Sequence, residues 1–120
     1  MSPYNFEKLT AWQLAFELSI KIYNTTSIYP KEERYGLVSQ MRRAAVSIQS
    51  NLAEGSARIS HKEKAHFYSM AYSSLMELIN QLMLSNHLGY MESEIYHEIK
   101  EESDSIARLI SGLRKSQINK

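Results

Sequence analysis

Punctuation is what this sequence lacks. Its 120 residues hold four glycines and two prolines. Between them run stretches in which apolar side chains recur every three or four residues, the period of a helix with a buried face. Phe6, Leu9, Phe16, Ile20 and Tyr23 follow that spacing, interrupted at Gln13, and the pattern fades in Asn24-Thr25-Thr26 ahead of Pro30. Val38, Met41, Ala45, Ile48 and Leu52 repeat it without a miss, and Gly55 follows where a left-handed cap would end the helix. Ser60 and Glu63 have the spacing of a capping box, in which each side chain satisfies a free backbone donor. A long helix then runs to about Leu88, with Gly89 as its stop. Ile95, Ile99, Ile106, Ile110 and Leu113 mark the last stripe, set among acidic residues, and the basic tail from Arg114 is expected to fray.

The pattern predicts an all-α chain with helices near 5–25, 32–54, 61–88 and 92–114 in one domain spanning 1–120. At 1.5 Å per residue such helices are about 30 to 40 Å long, and short connections make neighbours antiparallel. The expected architecture is an up-down-up-down four-helix bundle. Two helices carry more apolar surface than one core needs. The third offers Phe67, Ala71, Leu75, Leu78 and Leu82 on one side and Tyr68, Tyr72, Met76, Ile79 and Met83 on another, and the first has Leu14, Leu18 and Ile22 beside its main stripe. A wide core edged with tyrosine hydroxyls is one reading, and self-association into a homo-oligomer is the other and the one expected here.

Charge narrows the function classes. Fourteen Lys and Arg nearly cancel thirteen Asp and Glu, so no global field draws the chain to nucleic acid or membrane, and any steering comes from patches. The absence of cysteine leaves no disulfide framework and no thiolate zinc site, which fits a reducing, cytoplasmic location. Met1-Ser2-Pro3-Tyr4-Asn5 lacks the basic start and apolar run of a signal peptide, and Ala65 to Leu84, with Glu77, Asn80 and Gln81, is a poor membrane span.

Two Glu-x-x-His pairs, Glu63 with His66 and Glu94 with His97, have the composition of a di-iron carboxylate site. They stand in the first turns of successive helices, which antiparallel packing would place at opposite poles, so no metal site is expected. No Ser-His-acid set, phosphate loop or nucleophile elbow occurs, and the expectation is a protein without catalytic residues or cofactor. More informative is a polar stripe on the second helix, Arg43, Ser47, Asn51 and Glu54, four, four and three residues apart. It reads either as a hydrogen-bonded network, with Glu54 and an arginine neutralising each other, or as a ligand or subunit contact. Charge is also segregated. Arg34 to His66 holds six basic residues against two acids, and Met91 to Asp104 six acids against one lysine. These are solvated faces, or else a phosphate-binding patch at Arg42, Arg43, Arg58, Lys62 and Lys64.

Taken together, these residues resemble a known family, the bacterial four-helix proteins named after the 23S rRNA intervening-sequence protein. The resemblance begins at Phe6-Glu7-Lys8-Leu9, Trp12-Gln13 and Ala15 and continues through Tyr29-Pro30-Lys31-Glu32-Glu33-Arg34-Tyr35-Gly36-Leu37. It is most specific at Gln40-Met41-Arg42-Arg43-Ala44-Ala45-Val46-Ser47-Ile48-Gln49-Ser50-Asn51-Leu52-Ala53-Glu54-Gly55 and then Arg58. Phe67, Ser74, Glu77, Leu78 and Gly89-Tyr90 fit as well, while Gln49 and Leu52 stand where proline and isoleucine are usual.

The resemblance implies a bundle assembled into a ring, commonly a homopentamer, with no catalytic activity assigned. More distant relatives include nucleic-acid-binding accessory proteins of diversity-generating retroelements. The functional expectation is therefore a non-enzymatic oligomeric scaffold whose basic patch binds RNA, DNA or a nucleic-acid-handling partner. A small-molecule or metal-binding bundle using the Arg43, Ser47, Asn51, Glu54 stripe and a purely structural interaction ring are the alternatives.

Overall fold

Four helices carry the chain: α1 (Thr10–Thr26), α2 (Ser39–Ser56), α3 (His61–His87) and α4 (Ser93–Ile118), and no strand occurs among the described residues. The computed structural model describes residues 4–120, so Met1-Ser2-Pro3, which enter the expected 1–120 domain and the argument against a signal peptide, lie outside them. Among the described residues no helix is long and apolar enough to cross a membrane.

The boundaries differ from expectation where local geometry intervenes. Residues Asn5–Lys8 form a 3-10 turn, and Leu9, extended at φ −75° and ψ 121°, separates it from α1. The second helix is entered through a 3-10 turn at Lys31–Glu33 and a wider turn at Arg34–Val38, kinked at Gly36. Gly55 does not end α2 with a left-handed cap. It lies within the helix, buried, where a Cβ would come within 2.8 Å of Tyr68 Cε1 and 3.0 Å of Phe67 Cβ. Its role is close approach to α3, and the helix runs on to Ser56. Gly89, at φ 76°, is the left-handed residue after α3, where glycine carries no Cβ penalty. The tail from Arg114 does not fray early, since α4 continues to Ile118. The capping box is half formed: Ser60 Oγ accepts from the Glu63 backbone N–H at 3.1 Å, but the Glu63 carboxylate contacts the Ser60 hydroxyl.

One apolar core collects side chains from all four helices, with Leu18, Ile22, Met41, Ile48, Leu52, Leu75, Leu78, Leu82, Ile99, Ile106 and Ile110 fully buried. Each such leucine or isoleucine contributes about 1.5 to 3 kcal/mol relative to an exposed one. The stripes expected on α2 and α4 supply it. That expected on α1 does not. Phe16, Ile20 and Tyr23 are 41%, 49% and 45% exposed, whereas Ala11, Ala15, Leu18 and Ile22 are buried, so α1 is turned toward the core by its smaller side chains. On α3 the Ala71, Leu75, Leu78, Leu82 face is buried, while Met76 and Met83 of the second face stay exposed.

Contacts between helices fix how they lie along one another. The end of α2 at Gly55 meets the start of α3, and near the other end Ser85 Oγ contacts Met41 Sδ at 3.5 Å. His61, which opens α3, meets Gln117 near the end of α4 at 2.6 Å. Lys21 of α1 pairs with Glu98 and Glu102 of α4.

Candidate functional site

The five basic residues expected to form one patch are not brought together. Arg42 and Arg43 stand in the first turn of α2 and Arg58 just beyond its end, a separation of roughly 20 Å along the axis at 1.5 Å per residue. Two of the five are already engaged. Arg42 donates from Nε to Thr26 Oγ1 (3.1 Å) and from Nη2 to the Tyr23 carbonyl (3.2 Å), and its guanidinium lies 4.6 Å from the centroid of the Tyr23 ring. It therefore closes the C-terminal end of α1, where carbonyls lack helical partners and a cation is favoured. Lys64 does the same for α2, its Nζ 2.9 Å from the Ser56 carbonyl. Arg58 stacks on Phe67, 4.4 Å from the ring centroid, and remains exposed. Arg43 and Lys62 are exposed with no carboxylate or hydrogen-bond partner among the described residues.

A site missed in the sequence gathers around the first of these clusters. Tyr23, Arg34, Tyr35, Ser39, Arg42 and Arg43 border a surface groove of about 600 Å³, with no acidic residue in its lining. Tyr35 is 89% exposed, and Arg34 is exposed without a partner among the described residues. The turn presenting both is held from behind. Glu33 accepts a hydrogen bond from the Tyr90 hydroxyl at 2.9 Å and another from the Leu37 backbone N–H at 3.4 Å. The Glu33 carboxylate accordingly pushes the Tyr90 phenol above its ordinary pKa. Tyr29 packs against Tyr90 with ring centroids 5.2 Å apart, and burial raises its pKa too, partly offset by the neighbouring Ser85 hydroxyl. Ser85 donates that hydroxyl to Met41 Sδ at 3.5 Å, and the buried Tyr29 hydroxyl has no hydrogen-bond partner among the described residues. The sequence did carry a signal here: an arginine and a tyrosine, Arg34 and Tyr35, directly ahead of a glycine, with neither on an apolar stripe.

The polar stripe on α2 is divided. Ser47 Oγ lies 2.8 Å from Ser74 Oγ on α3, and Asn51 Nδ2 donates to the Ser47 carbonyl (2.9 Å) and Oγ (3.1 Å), which ties the two helices. Arg43 and Glu54 are outside this network: both are exposed, and neither is in an ion pair among the described residues. The reason is angular. Both point to solvent at the ends of a stripe whose middle faces α3.

Glu63 and His66 lie in the first turns of α3, and Glu94 and His97 in those of α4. With His61 against the far end of α4, the two starts are separated by most of a helix length, about 35 Å. No group of three His, Asp or Glu among the described residues could hold a metal ion. The acidic first half of α4 is partly neutralised within the chain. Lys21 bridges Glu98 and Glu102, and Lys100 bonds Asp104 at 3.1 Å. The hydrogen bond to Glu102 raises the Lys21 pKa, against a smaller lowering by desolvation and with further support from Glu98.

The arrangement defines a class: an all-α, four-helix protein whose polar residues mostly bind its own helices together and whose open cations stand at both ends of α2, Arg34 and Arg43 at its start and Arg58 and Lys62 beyond its end. The chain belongs to the 23S rRNA-intervening sequence protein family, whose model matches residues 7–112. A crystal structure of a protein of unknown function from the S23 ribosomal protein family of Bacteroides thetaiotaomicron has the same fold, with a TM-score of 0.80 at 21% identity. The match covers 88% of this chain and 95% of that one. No curated protein matches the chain.

Proposed function

We propose that this protein is a non-enzymatic scaffold, an antiparallel up-down-up-down bundle that assembles with its own copies into a ring and binds nucleic acid through its open cations. The observation that carries the binding reading is the difference among its basic residues. Among the described residues Arg34, Arg43, Arg58 and Lys62 have no carboxylate partner, while Arg42 and Lys64 are committed to helix ends. A cation left without a carboxylate is free to displace the counterions of a phosphate backbone. End-to-end contacts of α2 with α3 and of α3 with α4 support the antiparallel arrangement. Self-association is supported by two separate apolar faces on one subunit, Phe16, Ile20 and Tyr23 on α1 and Met76 and Met83 on α3. Different faces that meet between copies make a head-to-tail contact, which closes into a ring when the rotation between copies is a whole fraction of a turn, five subunits being the number favoured. A ring multiplies a weak phosphate contact by the number of subunits.

The test is a titration of structured RNA and of duplex DNA at low and at physiological salt. Binding is expected to weaken steeply with salt. Arg43→Gln and Lys62→Ala are each expected to reduce the slope of log K against log salt by about one for every phosphate no longer neutralised. Absence of binding by the wild-type protein at low salt would overturn the nucleic-acid reading and leave the interaction ring.

A further inference from the structure

We infer that the groove at the start of α2 takes an unpaired stretch of nucleic acid, with a base stacked on Tyr35 and the flanking phosphates held by Arg34 and Arg43. The inference rests on the nucleic-acid reading above and deepens it, since phosphate contacts alone would not distinguish a single strand from a duplex.

Three observations carry it. First, Tyr35 leaves 89% of its surface in solvent, with no ring or guanidinium of another described residue over either face. An aromatic ring held open is a platform for a nucleobase, because every base has a π-face and stacking needs no particular sequence. Second, the platform shares its groove with two unpartnered guanidinium groups, those of Arg34 and Arg43. The acidic residues nearest in the chain do not neutralise them: Glu33 is turned to Tyr90 and Leu37, and Glu32 is outside the lining. Third, the groove has room and continuation. Its volume of about 600 Å³ is in the range of ligand clefts. It shares Arg34, Val38 and Arg42 with a second recess of about 320 Å³ that adds Lys31. A path of Lys31, Arg34 and Arg43 with an aromatic step on it suits a strand of several nucleotides. A rigid duplex keeps its bases stacked inside and cannot offer one to Tyr35.

The turn that presents the platform is braced by the hydrogen bond between Tyr90 and Glu33. Order in the empty protein lowers the entropic cost of binding. Tyr90 is accordingly a positioning residue that need not touch the strand.

The experiment measures binding of the full chain to a fluorescently labelled oligouridylate of twelve nucleotides, to a blunt RNA duplex of the same length, and to uridine monophosphate as a competitor. The expected order is single strand, then duplex, with the mononucleotide competing only at concentrations far above the oligomer. Tyr35→Ala is expected to weaken single-strand binding about 5- to 150-fold, the range of one missing stack. It should leave duplex binding within twofold, and Tyr35→Phe, which keeps the ring, should restore the wild-type value. Arg34→Gln should weaken both. Because the Tyr35 side chain is exposed, unchanged helicity and melting of these variants would show that folding is intact. Duplex binding equal to single-strand binding, or indifference to Tyr35→Ala, would overturn the groove while leaving the nucleic-acid reading standing. Competition by the mononucleotide at the oligomer's own concentration would overturn the strand in favour of a free nucleotide site. Failure of every nucleic acid to bind at low salt would overturn both.

Discussion

A Cβ on Gly55 would stand 2.8 Å from Cε1 of Tyr68, closer than two carbons pack. The end of α2 and the start of α3 thus approach each other at a point where only hydrogen fits. Tyr68 is itself buried, and Phe67 Cβ, 3.0 Å away, is fixed to the backbone, so neither neighbour can swing aside freely. Gly55→Ala gains up to about 1 kcal/mol of helix propensity, but overpacking of this kind costs typically about 1 to 3 kcal/mol. The expected outcome is a net loss of about 1 to 2 kcal/mol in urea unfolding. The loss should shrink in a Tyr68→Leu background, and an unchanged midpoint would argue that α3 moves away without cost.

Much of the fold was legible because periodicity reports burial directly. Ile48 and Leu52 on α2 and Ile99, Ile106 and Ile110 on α4 are core residues as their spacing predicts. On α1 the same rule pointed to the wrong side. Phe6, Leu9, Phe16, Ile20 and Tyr23 form a larger apolar stripe than Ala11, Ala15, Leu18 and Ile22, and both have helical spacing. Interaxial distance depends on side-chain size at the contact. The alanine side is the buried one, in the core that also holds Ala44 and Ala45 of α2. Hydrophobicity alone does not reveal which of two stripes a close-packed core selects. The candidate site was less legible, since whether a cation is open or committed depends on partners distant in sequence, as with Arg42 and the Tyr23 carbonyl.

The polar stripe on α2 should divide in its response to mutation as it divides in space. Asn51→Ala removes two hydrogen bonds to Ser47, and Ser74→Ala removes the hydroxyl that Ser47 meets across the helix pair. Each is expected to cost about 1 kcal/mol, the usual net worth of a neutral, partly buried hydrogen bond. Glu54→Ala, at an exposed position outside the network, should stay within about 0.5 kcal/mol of wild type. Equal losses at Asn51 and Glu54 in chemical denaturation would restore Glu54 to the network.

Stability should fall at alkaline pH. Burial raises the pKa of Tyr29 and Tyr68, the Glu33 carboxylate raises that of Tyr90, and the hydrogen bond to Glu102 leads the rise at Lys21. In every case the protonated form is favoured by the fold. The contribution is fully present below the ordinary values of 10.0 for tyrosine and 10.5 for lysine, and is lost as pH rises through the higher folded values. Thermal melting followed from about pH 8 to pH 11 should therefore decline only at the upper end. Tyr29→Phe should make the decline shallower, because it deletes one group that must ionise in the core. A decline already complete below about pH 9 would mean that other groups control it.

Self-association is the prediction on which the ring depends. The stripe of Phe16, Ile20 and Tyr23 is exposed while Ala15, Leu18 and Ile22 are buried, so its residues can be changed without entering the core. A carboxylate on that face would have to be desolvated in any contact between copies, which is costly without a paired cation. Phe16→Glu with Ile20→Glu is expected to yield folded monomers with the 13.9 kDa mass of one chain by light scattering at micromolar concentration. The wild type should scatter as a defined multiple of that mass. Met83→Glu on α3 should also break the ring, and because head-to-tail contact joins unlike faces, mixing the α1 and α3 variants should restore one intact junction and give dimers but no ring. A wild-type mass of one chain would sink the assembly, and dimers formed by each variant alone and unchanged on mixing would show that like faces meet instead.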